Sequence, residues 1–189
     1  RRRGNGRIFR STRGVTFAGR PQRCDEVRSP PRYASRGAGI VTSQSHVVFV
    51  TGGTGYVGRV LISQLANRGH RVRALARPAS AHVLPPIATS VIGDALDGAS
   101  YAAEIAPADT LVHLVGTPHP NPSKAAEFEA VDLASIRATT TAAVEAGARH
   151  LVYLSVAHPA PVMRAYIAVR VQGEALVEST GIPATILRP

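Results

Sequence analysis

Cysteine is nearly missing from this chain of 189 residues, with Cys24 the only one. An intrachain disulfide or a thiolate metal cluster needs at least two, so both are excluded, and a reducing compartment, the cytoplasm, is the expected setting. Lysine and methionine are as scarce, with Lys124 and Met163 the sole examples. No run of 18 apolar residues occurs, so no membrane-spanning helix is expected. The arginines at the start are not followed by the continuous apolar stretch of a secretory signal. Acidic residues are outnumbered, 12 against 22 basic ones, for a formal net charge of +10 and a sequence pI near 11.1.

That charge sits in one place. Residues 1–45 hold 11 arginines against Asp25 and Glu26, whereas residues 46–189 hold 11 basic and 10 acidic side chains. The first segment is rich in Arg, Gly, Ser and Pro and shows no apolar period, so it reads as an unfolded leader. Clustered arginines attract nucleic-acid phosphates, and organelle-targeting peptides are also Arg-rich. Composition by itself favours a solvated extension, and nucleic acid is not expected as a partner.

From His46 onward two kinds of segment alternate. Short β-rich runs occur at 46–50, 70–76, 88–92, 110–115, 150–156 and 184–187. Helical stretches lie between them: 56–68, with Val57, Val60, Leu61 and Leu65 at helical spacing; 123–147, Ala-rich and ending at Gly147; and 161–180, opened by a proline and stopped before Gly181. Such alternation implies right-handed crossovers and a parallel sheet covered on both faces, a doubly wound α/β domain over 46–189.

Between the first strand and the first helix lies "VTGGTGYVG", residues 50–58. A glycine turn there aims backbone N–H groups and the positive end of a helix at an anion, and a Cβ would stand in the way. Gly53, Gly55 and Gly58 fit G-x-G-x-x-G, while Gly52, Gly55 and Gly58 fit a G-x-x-G-x-x-G variant. In a strand–turn–helix context either spacing predicts a pyrophosphate site in a Rossmann fold. An NAD site would place Asp or Glu after the second strand, to accept from the ribose 2′-hydroxyl. The sequence there reads "VRALARPAS", with Arg77 and no acid, and an arginine suits a 2′-phosphate. NADP(H) is therefore the preferred cofactor, with NAD(H) possible. The histidines match no metal-binding spacing, and no metal site is assigned.

"TGGTGYVG" (51–58), "GDALD" (93–97), "LVHLVGT" (111–117), "ARHLVYLS" (148–155) and the closing stretch 165–189 resemble the extended and atypical short-chain dehydrogenase/reductases. The nearest flavour is the NAD(P)-binding group with isoflavone-reductase-like enzymes, NmrA-like sensors and the accessory subunit of respiratory complex I. The resemblance implies that Gly52, Gly55 and Gly58 form the pyrophosphate turn, lined by Thr54, Tyr56 and Val57. It gives Arg77 the 2′-phosphate, Asp94 and Ala95 the adenine edge, and Val115, Gly116 and Thr117 the wall under the adenosine and its ribose.

The resemblance further implies catalysis by Tyr166, with Ser155 as a substrate-orienting hydroxyl. The superfamily pairs that tyrosine with a lysine four residues on; here Arg170 takes the place. Arginine keeps a positive charge on the same helix face but cannot relay a proton. Asp132 stands where related enzymes often carry Asn. The resemblance also implies a C-terminal substrate-binding region after the strand at 184–187, so 46–189 is expected to be a cofactor domain truncated before it. Two functions follow: an oxidoreductase or epimerase-like enzyme acting on an unknown small molecule, or a non-catalytic dinucleotide-binding sensor or structural subunit.

Overall fold

The computed structural model describes residues 44–159 and 162–189. The leader expected over 1–45 thus falls, through residue 43, outside the described residues, as does Pro161.

Among the described residues, six strands and five α-helical segments follow the expected alternation. In chain order they are β1 (Val47–Thr51), α1 (Tyr56–Asn67), β2 (Arg71–Ala76), β3 (Thr89–Ile92), α2 (Ala102–Ile105), β4 (Thr110–His113), α3 (Ala125–Glu127), α4 (Ala134–Glu145), β5 (Leu151–Leu154), α5 (Arg164–Ser179) and β6 (Ala184–Leu187). All five strand pairings are parallel, in the order β3-β2-β1-β4-β5-β6. The order reverses direction between β1 and β4, and crevices for ligands open at such a switch point.

Residue alternation along the strands divides the core into two layers. Phe49, Leu75, Leu111, Leu151 and Tyr153 face one side and pack with Ile136, Ala143 and Val177 of α4 and α5. Val48, Val50, Val72, Ala74 and Val112 face the other and pack on Ile62, Leu61 and Leu65 of α1. Each fully buried side chain of this size contributes on the order of 1.5–3 kcal/mol. Gly173, in mid-helix, is explained by one contact: a Cβ there would collide with the Tyr153 hydroxyl. The outer strand β6 leaves Leu187 46% exposed.

One expected helix is not continuous. The stretch predicted as a single helix over 123–147 opens as a 3-10 turn (Pro122–Lys124), passes through α3, widens into a π-helical segment (Phe128–Leu133) and only then becomes α4. The widened turn is where Phe128 and Asp132 are both buried. Its cause is a polar demand, since Asp132 bonds to groups outside its own helix. Wide turns of this kind occur where a side chain must be re-aimed.

A histidine pins the sheet to that helix. His113, fully buried at the end of β4, places Nδ1 2.9 Å from Thr51 Oγ1 and 3.0 Å from Thr139 Oγ1. Its Nε2 lies 3.4 Å from Ser135 Oγ, and Thr139 in turn meets the Tyr101 hydroxyl at 3.1 Å. Burial, reinforced by the Arg170 charge, pushes the imidazole down from 6.5 to about 3. The folded state therefore holds His113 neutral, while the unfolded chain protonates it near 6.5. Stability from this source is complete above 6.5 and lost as pH falls from there toward 3, at about 1.4 kcal/mol per pH unit. Urea midpoints measured between pH 7 and 4 should fall accordingly, and His113→Asn should flatten that slope.

Candidate functional site

The turn after β1 is set by backbone crowding. Gly52 adopts a left-handed φ of 76°, and a Cβ there would lie 2.7 Å from the Leu114 carbonyl carbon. A Cβ on Gly58 would strike the Gly52 carbonyl oxygen and lie 2.7 Å from Gly53 Cα. Gly53 meets only side chains, of Ala74, Ile62 and Leu84, each at 3.1 Å. Of the two glycine spacings, 52-55-58 is thus the one that backbone geometry demands at both ends. Gly55 caps α1 without any side-chain hydrogen bond, and the first turn carries no acid. The first-turn amides of this 12-residue helix therefore remain free to face an anion.

A cleft of about 470 Å³ runs from this turn across the switch point, a size typical of small-molecule sites. Gly52, Thr54, Gly55, Arg77, Asp94, Ala95, Val115 and Gly116 all line it. Eight of the expected cofactor residues are thus brought together. Four are not on its wall: Gly58 and Thr117 are buried behind it, and Tyr56 and Val57 stand 80% and 49% exposed on the first turn of α1. Ser80 also lines the cleft, one turn beyond Arg77, where its amide donates to the Arg77 carbonyl at 2.9 Å. Sequence reasoning passed over it, although "RPAS" offered the signal: a hydroxyl at i+3 from the arginine. Asp94 is tied by its own loop, its carboxylate accepting from the Leu96 amide at 3.0 Å.

The Tyr166 side is organised by one buried ion pair, Arg170 with Asp132, and one whose arginine is exposed, Arg188 with Glu174. Tyr166 is half-buried, its ring tilted on Phe128 at 5.0 Å and 5.1 Å from the Arg170 guanidinium, so the i, i+4 pair does meet. Arg170, only 6% exposed, nevertheless turns inward. Its Nη2 donates to Asp132 Oδ1 at 2.6 Å and its Nη1 to the Leu154 carbonyl at 3.1 Å. Burial opposes its charge, but Tyr153, Tyr166 and Asp132 outweigh that and hold its proton more firmly than usual. Burial likewise raises the Tyr153 phenol.

Ser155, also buried, donates to Glu174 Oε1 at 2.5 Å. Arg188 forks onto the same carboxylate, Nε to Oε1 at 2.9 Å and Nη2 to Oε2 at 2.6 Å. The Arg188 hydrogen bonds hold the Glu174 carboxyl below its usual range. With its one proton given to Glu174, Ser155 offers only lone pairs to a further partner. Among the described residues it has no hydrogen bond to Tyr166.

A substitution at the crowded turn tests the cradle. Gly58→Ala should weaken NADPH binding at least about tenfold, because relief of the clash must displace the amides that face the anion. Intrinsic nucleotide fluorescence checks this, with circular dichroism showing that the fold is kept.

Comparison with known proteins agrees with this geometry. A family of NAD(P)H-binding domains matches residues 52–189. A ceramide reductase of Caulobacter vibrioides is 31% identical over 157 residues, which cover 79% of this chain and 47% of that protein. A chloroplastic divinyl chlorophyllide a 8-vinyl-reductase of Oryza sativa is 31% identical over 157 residues, covering 75% of this chain and 39% of that one. The enzyme WbmG of Bordetella bronchiseptica, solved with NAD, superposes with a TM-score of 0.65 at 22% identity, over 79% of this chain and 54% of its own. The chain spans less than half the length of these two reductases. No described helix is long and apolar enough to cross a membrane. The chain belongs to the NAD(P)H-binding family, and it shares its fold with WbmG.

Proposed function

We propose that this chain is the cofactor-binding part of an oxidoreductase or epimerase-like enzyme that prefers NADP(H) to NAD(H). The observation that carries the preference is the exit of β2: Arg77 and Ser80 both line the cleft, and the segment 76–80 contains no carboxylate. A guanidinium and a hydroxyl suit a 2′-phosphate, whereas an unmodified ribose calls for an acceptor. The relatives' names support reduction as the direction of chemistry. The single cysteine agrees with a reducing compartment, the cytoplasm.

The residues fit the group. Gly52, Gly55 and Gly58 make the room and the first turn of α1 the amides for its diphosphate, while Arg77 and Ser80 would hold the adenosine end. Bound there, the nicotinamide supplies or accepts a hydride. Tyr166 would give its phenolic proton to the substrate oxygen in reduction and recover it in oxidation. Arg170, committed to Asp132 and Leu154, acts beneath Tyr166 as a fixed charge. Ser155 would accept a hydrogen bond from a substrate hydroxyl, its own proton resting on Glu174.

A second reading, a dinucleotide-binding sensor or structural subunit without catalysis, draws on the same inward-turned Arg170 and Ser155, both of which donate to internal partners.

Two measurements separate these readings. NADPH should bind at least about tenfold tighter than NADH, and Arg77→Ala should erase the difference by weakening NADPH alone; equal affinities in the wild type would remove the role given to Arg77. In the whole enzyme, Tyr166→Phe should lower kcat by about 10²–10⁴ with NADPH affinity within about twofold. A protein that binds NADPH yet turns over no carbonyl substrate favours the sensor.

A further inference from the structure

The segment leaving β4 runs along the cleft and dips once into the core. Leu114, Val115 and Gly116 line the cleft, Thr117 is buried, and Pro118 lines the cleft again. What holds that weave in place is a single carboxylate, 1% exposed on the π-helical turn. Asp132 Oδ2 accepts both the Thr117 amide, at 2.9 Å, and the Thr117 hydroxyl, at 2.6 Å. Its Oδ1 takes the Arg170 guanidinium at 2.6 Å. The loop backbone lies directly on this pair: a Cβ at Gly116 would strike Arg170 Nη2 and approach Asp132 Oδ1 to 3.1 Å. Arg170 in turn sits 5.1 Å from the Tyr166 ring. One buried acid thus connects the cleft floor to the helix that carries the tyrosine.

Sheet order, rather than the adenosine role that the family resemblance implied for Val115, Gly116 and Thr117, says which part of a ligand rests on that floor. Arg77 lies beyond β2 and the glycine turn beyond β1, while the Asp132-bound loop lies beyond β4, on the other side of β1. A dinucleotide with its diphosphate on the turn and its 2′-phosphate at Arg77 must lay its remaining half over the β4 exit, toward Tyr166.

We propose that Asp132 is a positioning residue for the nicotinamide half of the cofactor, fixing the 115–118 loop through Thr117 and holding it in register with Tyr166 through Arg170. The inference rests on the dinucleotide reading given above. Asp132 touches neither cofactor nor substrate, and its effect passes through the loop backbone. Removing it should loosen the far half of the site and spare the adenosine half.

The test uses the 189-residue chain with two probes: NADPH, which spans the cleft, and 2′,5′-ADP, which fills only the adenosine side and the turn. Asp132→Asn removes the charge, and Thr117→Val removes one hydroxyl while leaving the ion pair, so the second variant decides if the first fails to fold. Asp132→Asn should weaken NADPH about tenfold and Thr117→Val about threefold, each leaving 2′,5′-ADP within about twofold of wild type. Joined in one chain, the two changes should cost no more than Asp132→Asn alone, because they cut the same connection. The inference is overturned if folded variants bind NADPH as wild type does. It is equally overturned if both probes weaken together, since that is the mark of a general loosening. A wild-type chain that binds 2′,5′-ADP but not NADPH would defeat this inference alone, whereas one that binds neither would defeat the dinucleotide reading itself.

Discussion

Two backbones approach each other too closely for side chains, and the organisation of the site follows from that. The turn leaving β1 and the segment leaving β4 are hydrogen-bonded neighbours, with the Leu114 amide donating to the Thr51 carbonyl at 3.1 Å. A Cβ on Gly52 would penetrate the Leu114 carbonyl, so the closeness is possible only for glycine in a left-handed conformation. The result is a shallow floor at the reversal of strand order, bordered by free amides at the start of α1. Arg77 lines the cleft on one side of that floor, while Tyr166 lines a separate hollow with Phe128.

Polar pins keep the floor from collapsing into the core. His113 joins β1 to α4 through Thr51 and Thr139. Asp132 joins the β4 exit to α5 through Thr117 and Arg170. Glu174 joins the end of β5 to the end of β6 through Ser155 and Arg188. The Asp132–Arg170 pair, buried on both sides, carries a real cost, because buried ionic groups are tolerated only when their partners are complete, and breaking a buried pair costs about 3–5 kcal/mol. Such groups stabilise a domain less well than hydrocarbon would. They do, however, fix relative positions that hydrophobic contact leaves soft, and a cleft that must fit both ends of one ligand requires that.

Much of this was legible in the sequence because the signals are local. The six strands announced themselves as short β-branched runs, and the turn as four glycines between a strand and a helix. The strand–helix alternation was enough to give a parallel sheet. Less legible were features made by residues far apart in the chain. Thr51 and His113 are 62 positions apart, Asp132 and Arg170 38, and Ser155 and Glu174 19; no period or motif ties such partners together. The π-helical turn escaped for the same reason, since Ala-rich helical propensity over 123–147 holds no hint that Asp132 must reach Thr117. Tyr56 and Val57, to which the family resemblance gave a lining role, have exposed side chains on the first turn of α1.

The central claim is that the amides from Gly52 to Gly58 face a diphosphate. Backbone ¹⁵N–¹H spectra recorded while NADPH is added to the chain test it most directly. Binding with the largest amide shifts at Gly55, Tyr56, Val57 and Gly58, and smaller ones at Val115 and Gly116, is the predicted result. Saturating NADPH that leaves those four amides unmoved would contradict the account.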